Sequence, residues 1–139
     1  MREILLVALG GALGALTRMG VSQLALRWLG QGFPWGTLLV NVVGCFVIGV
    51  IGQSLVSLES VTDKALTVES QSLVSLLRYG LVVGFLGALT TFSTFGFEVI
   101  RDFSQPGRAH FALLNIGGNL GLCLLGVWLG MWLAAGKSP

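Results

Sequence analysis

The chain has 139 residues, of which 54% are hydrophobic and 10% are charged, and its net charge is +2. Because an ordinary soluble domain is about 25% charged, this composition excludes a water-soluble fold, and the small net charge gives no electrostatic reason to bind nucleic acid. The single histidine, His110, cannot build a histidine metal site or a catalytic triad within one chain. The two cysteines, Cys45 and Cys123, lie inside apolar runs, so we expect packing residues rather than a disulfide or a metal site.

Four apolar segments follow in chain order, at about residues 4–29, 37–58, 76–103 and 111–135. Each has the length of roughly 20 residues that a membrane-spanning helix needs, and lipid requires every backbone group to be satisfied internally. The first segment continues through Arg18 to Trp28 without a small-residue cleavage pattern, so it is interpreted as retained rather than as a signal peptide. The sequence therefore predicts an all-α membrane protein with a single four-helix transmembrane domain over residues 1–139, embedded in a lipid bilayer.

Glycines recur at four-residue spacing inside the spans. Small residues at that spacing let helix backbones approach closely where no hydrophobic effect drives their association. The pattern predicts a tightly packed bundle, and because four helices of this size enclose little, it also favours a homo-oligomer. The pairs are Gly10 and Gly14, Gly80 and Gly84, Gly117 and Gly121, and Gly126 and Gly130.

Positive charges are nearly balanced between the two sides of the membrane. With four spans, both termini and the middle connection share one side. That side carries four positive residues and the other side three, which are Arg2, Lys64, Arg78 and Lys137 against Arg27, Arg101 and Arg108. A clear bias in such charges is what fixes orientation. We therefore hypothesise that the protein inserts both ways round, which would allow an antiparallel dimer.

Polar side chains at membrane depth are expensive and are functional candidates by default. They comprise Arg18, Gln23, Asn41, Glu98, Asn115, Asn119 and the Thr/Ser cluster of the third span. Asn115 and Asn119 share one helix face because they are four residues apart, and Cys123 and Val127 continue that face. Each asparagine alone is explained by an interhelical hydrogen bond. Together they supply N–H donors without a fixed negative charge, which suits a path for an anion.

The stretch GALTTFSTF, residues 87–95, is the most unusual in the chain. Phe92 and Phe95 are three residues apart and can lie on one face, where the positive edges of their rings could line an anion site. Four hydroxyls in five residues compete with the backbone N–H groups of the helix for its carbonyls. They belong to Thr90, Thr91, Ser93 and Thr94. Two interpretations remain open, a break in the third helix and an unbroken helix whose hydroxyls bond back to their own turn.

Three strings identify the chain as similar to the Fluc (CrcB) family of fluoride channels, over nearly its whole length. They are GGALGALTR, which ends at Arg18, WGTLLVNVVGCFVIG, which contains Asn41, and GFLGALTTFSTFGFE in the third span. The resemblance implies a fluoride-selective channel that lets fluoride leave the cytoplasm passively across the bacterial inner (plasma) membrane. It also implies a dual-topology, antiparallel homodimer of four-helix subunits with a break in the third helix and two pores.

The resemblance also implies roles for particular residues. Phe92 and Phe95 would offer ring edges to fluoride, and Asn41 would donate a hydrogen bond to it. Thr94, beside Ser93, would belong to a polar track that Asn115 and Asn119 continue on the fourth helix. A structural sodium ion would lie on the dimer axis, held by backbone carbonyls that map to Gly87 and Thr90. Arg18 is expected in an aqueous vestibule, where it would attract anions, although snorkelling to an interface also explains it.

The chain departs from the family pattern at two places. Ala88 replaces a second glycine at the expected break, and it is small enough for the break to survive. The fourth span lacks the family's tyrosine and the Ser/Thr residues that follow at four-residue spacing, and reads Asn115, Asn119, Cys123 and Val127 instead. The loss of hydroxyls at the lower end of the polar track implies one of two things. Either conduction is slower, or the chain forms a heterodimer with a paralogous chain that supplies the missing hydroxyls.

Nothing in the chain resembles a nucleotide-binding loop or an enzyme site. Two other functions compete with the channel. A small multidrug-type dual-topology transporter needs a membrane-embedded carboxylate, and Glu98 alone lies in a span, next to an anion-friendly cluster. Glu98 could equally face a pore mouth or cap neighbouring hydroxyls. A non-transporting membrane assembly subunit would leave the Phe/Thr cluster without a purpose. Ring edges and amides by themselves attract chloride as well as fluoride.

Overall fold

The computed structural model describes residues 1–61 and 68–136, and every regular element in those ranges is helical. The elements are α1 Arg2–Leu29, α2 Trp35–Val61, α3 Val68–Ser75, a π-helical segment Leu76–Leu86, α4 Gly87–Leu89, α5 Phe92–Phe103 and α6 Ala109–Ala135. Lys64 and Lys137, which entered the charge count above, lie outside the described residues. We call Leu76–Leu86 the π segment below.

Within the described ranges, four helical stretches are long and apolar enough to cross a membrane. They are Arg2–Leu29, Trp35–Ser57, Ser72–Phe103 and Ala109–Ala135. The third is composite, because it joins the end of α3, the π segment, α4 and α5. The predicted all-α membrane architecture with four spans is confirmed, and so is the break in the third span.

Two helix pairs make up most of the bundle, α2 against α6 and α1 against the π segment. α2 and α6 run parallel and in register, since Asn41 bonds Asn119 and a Cβ atom added at Gly49 would overlap the backbone of Val127. Both pairings match residues that are 78 positions apart. This register places the polar residues of α6 directly beside those of α2.

Close backbone approach explains most of the paired glycines. A Cβ atom at Gly14 would lie 3.0 Å from the carbonyl carbon of Phe85, and one at Gly130 would lie 2.8 Å from the backbone nitrogen of Val50. Neither neighbour is a flexible side chain that could move aside. Gly117 and Gly121 differ, because a Cβ atom at either would meet nothing within 4 Å. That pair does not pack within the chain and lies on an open stretch of α6.

The buried apolar core is small and most large apolar side chains point outward. One cluster contains Val40, Leu86 and Leu89, and another contains Phe95, Val99 and Ala112. Lipid tails are as apolar as these side chains, so little drives them inward. The outer surface therefore suits a bilayer, and the three asparagines at membrane depth are buried within the bundle, whereas Gln23, Ser93 and Thr94 are exposed.

Candidate functional site

The third span breaks at Thr90 and Thr91. α4 ends at Leu89, both threonines are extended (φ/ψ of −80°/155° and −152°/117°), and α5 begins at Phe92. The sequence left open whether the hydroxyls bond back to their own turn or accompany a break in the helix, and the structure shows both. Thr90 Oγ1 donates to the carbonyl of Leu86 at 2.9 Å, so it bonds back to its own turn. Thr91 Oγ1 accepts from the backbone N–H of Thr94 at 3.2 Å, so it caps the new helix.

Asn41 holds the break in place from α2. Its Oδ1 accepts from the backbone N–H of Thr91 at 2.8 Å, and its Nδ2 donates to the carbonyl of the same residue at 3.2 Å. Nδ2 also donates to Oδ1 of Asn119 on α6 at 2.8 Å. One buried amide thus satisfies both backbone groups of Thr91 at the break, in keeping with the need for irregular backbone at membrane depth to find partners within the protein.

A row of asparagines continues from Asn41 along α6. Asn119 Nδ2 donates to Oδ1 of Asn115 at 2.7 Å. Asn115 is fully buried, and its Nδ2 has no hydrogen-bond partner. It faces the carboxylate of Glu98 without meeting hydrogen-bond geometry, and Oε2 of Glu98 is likewise buried and unpartnered. The row therefore ends on a donor that has a hydrogen to give.

Most of the predicted pore residues line one cavity of about 320 Å³, which we call the break cavity. Its walls include Asn41, Gly87, Thr90, Phe92, Phe95, Asn119 and Cys123. The rings of Phe92 and Phe95 lie 5.5 Å apart between centroids and are tilted by 57°, so the two side chains do share one side of α5. Phe95 is buried at 8% exposure, whereas Phe92 is 79% exposed and projects from the chain.

A second cavity of about 620 Å³, which we call the vestibule, is lined by polar and apolar residues in nearly equal measure. Among them are Ser22, Thr37, Thr94, Glu98, Arg101 and Arg108. An adjoining cavity of about 290 Å³ contains Arg18 and Thr91 and shares Ser22, Thr37 and Thr94 with the vestibule. Arg18 and Thr94 are therefore brought together away from the phenylalanines. Ser93 is exposed, with its Oγ 3.3 Å from Thr91 Oγ1.

Thr37 is a site residue that the sequence analysis did not single out. Its hydroxyl donates to Oε1 of Glu98 at 2.7 Å, so Glu98 both lines the vestibule and engages a hydroxyl. The signal was available, because Thr37 lies four residues before Asn41 and helix geometry places the two on one face of α2. Thr91 was named only as one of the hydroxyl cluster. Its role as helix cap depends on a contact with Thr94, three residues away, and its role as partner of Asn41 on contacts across 50 residues.

The break frees the two carbonyls that the sequence analysis mapped to a sodium ion. In a continuous helix Gly87 would accept from the N–H of Thr91, but that N–H is bonded to Asn41. Thr90 would accept from the N–H of Thr94, which is bonded to the Thr91 hydroxyl instead. Gly87 and Thr90 both line the break cavity. Carbonyl oxygens released in a broken membrane helix are suitable ligands for Na⁺, so these residues fit the group.

Comparison with known proteins gives one family and many relatives. The family model described as "CrcB-like protein, Camphor Resistance (CrcB)" matches residues 5–131. A protein of Aeromonas salmonicida is 44% identical over 137 residues, covering 99% of each chain, and one of Rhizobium etli is 46% identical over 132 residues, covering 94% of each. A third, from Hydrogenovibrio crunogenus, is 43% identical over 130 residues, covering 94% of this chain and 89% of the relative. All three are named "Fluoride-specific ion channel FluC".

Proposed function

This chain belongs to the CrcB family, and we propose that it conducts fluoride out of the cytoplasm as a passive, selective channel. Four membrane spans and the family make it a multi-pass protein of the bacterial plasma membrane and an ion channel, not an enzyme. The observation that carries the proposal is the break cavity. There the rings of Phe92 and Phe95 meet the amides of Asn41 and Asn119 at a break in the third span.

The break cavity suits a small anion because it offers positive partial charge without a formal charge. Ring edges of phenylalanine are positive, and amide N–H groups are donors. Both hydrogens of Asn41 Nδ2 are bonded within the chain, so an anion at Asn41 exchanges one of these acceptors for itself. Such an exchange keeps the donor satisfied throughout, which is what a conduction step requires in a region without water.

Asn115 extends the same chemistry along α6. Leaving a buried donor without an acceptor costs about 1–3 kcal/mol, and Asn115 Nδ2 is such a donor. Asn115 lines neither the break cavity nor the vestibule and faces the carboxylate of Glu98, so an anion would recover that cost only by drawing the amide away from the carboxylate. The proposed polar track runs from Asn41 through Asn119 to Asn115, with Thr94 and Arg18 on the vestibule side.

The proposal includes an antiparallel homodimer with a structural sodium ion. Phe92 projects from the chain at 79% exposure, where a second subunit would meet it, and the exposed surface of the bundle is apolar. The freed carbonyls of Gly87 and Thr90 from each subunit would hold the ion between the two copies. A cation there would offset the cost of bringing anions to membrane depth. Insertion in both orientations agrees with the nearly balanced positive charges of the sequence.

Efflux from liposomes tests the proposal at the site. Purified protein is reconstituted with potassium fluoride inside, valinomycin is added, and released fluoride is followed with an electrode. We expect rapid release for the wild type and strongly reduced release for Phe92→Ile. The matched control is Phe97→Ile, on the same helix and 69% exposed, which does not line the break cavity and should release fluoride at the wild-type rate. Equal rates for both variants would remove the phenylalanine pair from the path.

A wild type that is folded and dimeric but releases no fluoride would contradict the homodimeric channel. Addition of a paralogous chain, where the source genome has one, would then separate a heterodimeric channel from a protein that does not transport fluoride.

A further inference from the structure

A cluster of four charges lies where α5 turns toward α6, at the vestibule. Asp102 is fully buried, and its Oδ1 accepts from Nε of Arg108 at 3.0 Å and from Nη2 of Arg101 at 3.4 Å. Oδ2 of Asp102 is buried without a partner. Glu98, one turn earlier on α5, also lines the vestibule. A buried carboxylate is expensive unless it is paired, so Asp102 requires both arginines to stay in place.

Arg108 makes three contacts that join different parts of the structure. Besides Asp102, its guanidinium donates from Nη2 to the carbonyl of Gly32 at 2.9 Å, and it lies 4.8 Å from the ring centroid of Phe111. These contacts tie the turn between α5 and α6 to the connection between α1 and α2, across 76 residues. Arg108 therefore joins these two connections at one edge of the vestibule.

Arg101 is more exposed than Arg108 and makes fewer hydrogen bonds, although its charge also lies near the carboxylate of Glu98. Its side chain is 43% exposed, and the 3.4 Å contact to Asp102 uses one of its five N–H donors. Arg101 also lines the vestibule, and so do Glu98 and Thr94, which come earlier on the same helix. A guanidinium with free donors on the wall of a partly polar cavity is suited to hold a small anion.

We propose that Arg101 is a capture site for small inorganic anions at the mouth of the vestibule, and that Asp102 is the residue that positions it. Resting on the proposed function, this site raises the local anion concentration ahead of Arg18 and Thr94, which line the adjoining cavity. Because a guanidinium does not discriminate among small anions by geometry, capture at Arg101 sets the rate of anion supply and leaves selectivity to the break cavity.

Quenching of Trp35 fluorescence measures the anion concentration in the vestibule, and this measurement does not require conduction. Trp35 lines the vestibule and is 39% exposed. The other three tryptophans are changed to phenylalanine, so that all tryptophan fluorescence comes from Trp35. They are Trp28, Trp128 and Trp132. Iodide, an anionic quencher, is compared with acrylamide, a neutral one, in a neutral detergent.

In that background we expect Arg101→Gln to lower the iodide quenching constant by about 2- to 5-fold at low ionic strength, with the effect shrinking as salt screens the charge. Acrylamide quenching should not change, and Arg101→Lys should restore part of the loss. The control is Arg27→Gln, an exposed arginine that does not line the vestibule and should leave iodide quenching unchanged. An Arg101→Gln protein with wild-type iodide quenching overturns the capture site, whether or not the wild type conducts fluoride.

Asp102→Asn separates positioning from net charge. Removal of the carboxylate adds one positive charge at the mouth, so iodide quenching rises if only net charge matters. If Asp102 positions Arg101, iodide quenching falls despite the added charge, while circular dichroism shows that the helices are retained. A rise would overturn the positioning role of Asp102.

Discussion

Replacing Asn41 by alanine removes the clamp on the break and is the sharpest test of how the third span is held. Three hydrogen bonds are lost, two to the backbone of Thr91 and one to Asn119. Interhelical hydrogen bonds in membranes average about 0.6 kcal/mol each, which gives a floor of about 2 kcal/mol for three. The Thr91 groups are buried and have no other partner at hand, so the cost rises toward about 4 kcal/mol if they stay unsatisfied.

Unfolding in mixed micelles, followed by tryptophan fluorescence, measures this loss as a change in the free energy of unfolding. Asn115→Ala is the matched control, because Asn115 is also buried but accepts only from Asn119 and leaves its own Nδ2 unpartnered. We expect Asn115→Ala to cost less than half as much as Asn41→Ala. Equal losses for the two variants, or no loss for Asn41→Ala, would refute the assignment of Asn41 as the clamp.

Three further predictions concern local features of the bundle. Thr91→Val keeps the shape of the side chain but removes the cap of α5, and should lower the free energy of unfolding by about 1 kcal/mol; thermal unfolding checks this, and no change would argue against the cap. Gly14→Ala should destabilise by about 1–3 kcal/mol because its Cβ overlaps the π segment, whereas Gly117→Ala meets open space and should be neutral in the same assay. Cys45 and Cys123 face each other across α2 and α6 beside the break cavity, so copper phenanthroline should join them within one chain; mass spectrometry of peptides that shows both thiols still free would contradict the register of these helices.

The four spans were predictable because they depend on the length of apolar runs, a property that is local in sequence. In the described part of the chain, four apolar helical spans are present where the sequence has its apolar runs. Asn41, Asn115 and Asn119 are buried because a polar side chain facing lipid is costly, whereas Gln23, Ser93 and Thr94 remain exposed. Close packing at Gly10 and Gly14 agrees with the predicted tight bundle, but their partner, the π segment, did not follow from spacing, because Gly117 and Gly121 have the same spacing and meet nothing within 4 Å. Length and hydropathy are sufficient for the spans.

The break could not be decided from the sequence because its outcome depends on a distant partner. The hydroxyls of Thr90 and Thr91 look alike in sequence, yet one bonds back to its own turn and the other caps a new helix. What distinguishes them is Asn41, which takes both backbone groups of Thr91 from another helix. The ion pairs of Asp102 with Arg101 and Arg108 are local in the chain, but the sequence does not show that the carboxylate is buried, nor that Arg108 also bonds the carbonyl of Gly32 across 76 residues.

Selective conduction of fluoride is the central claim, and a reversal potential measures it most directly. Purified protein is placed in a planar bilayer with fluoride on one side and an equal concentration of chloride on the other. The account predicts a current that reverses far from zero, at a voltage that corresponds to fluoride as the permeant anion. A current that reverses near zero would show that chloride passes as readily as fluoride, and would contradict the claim.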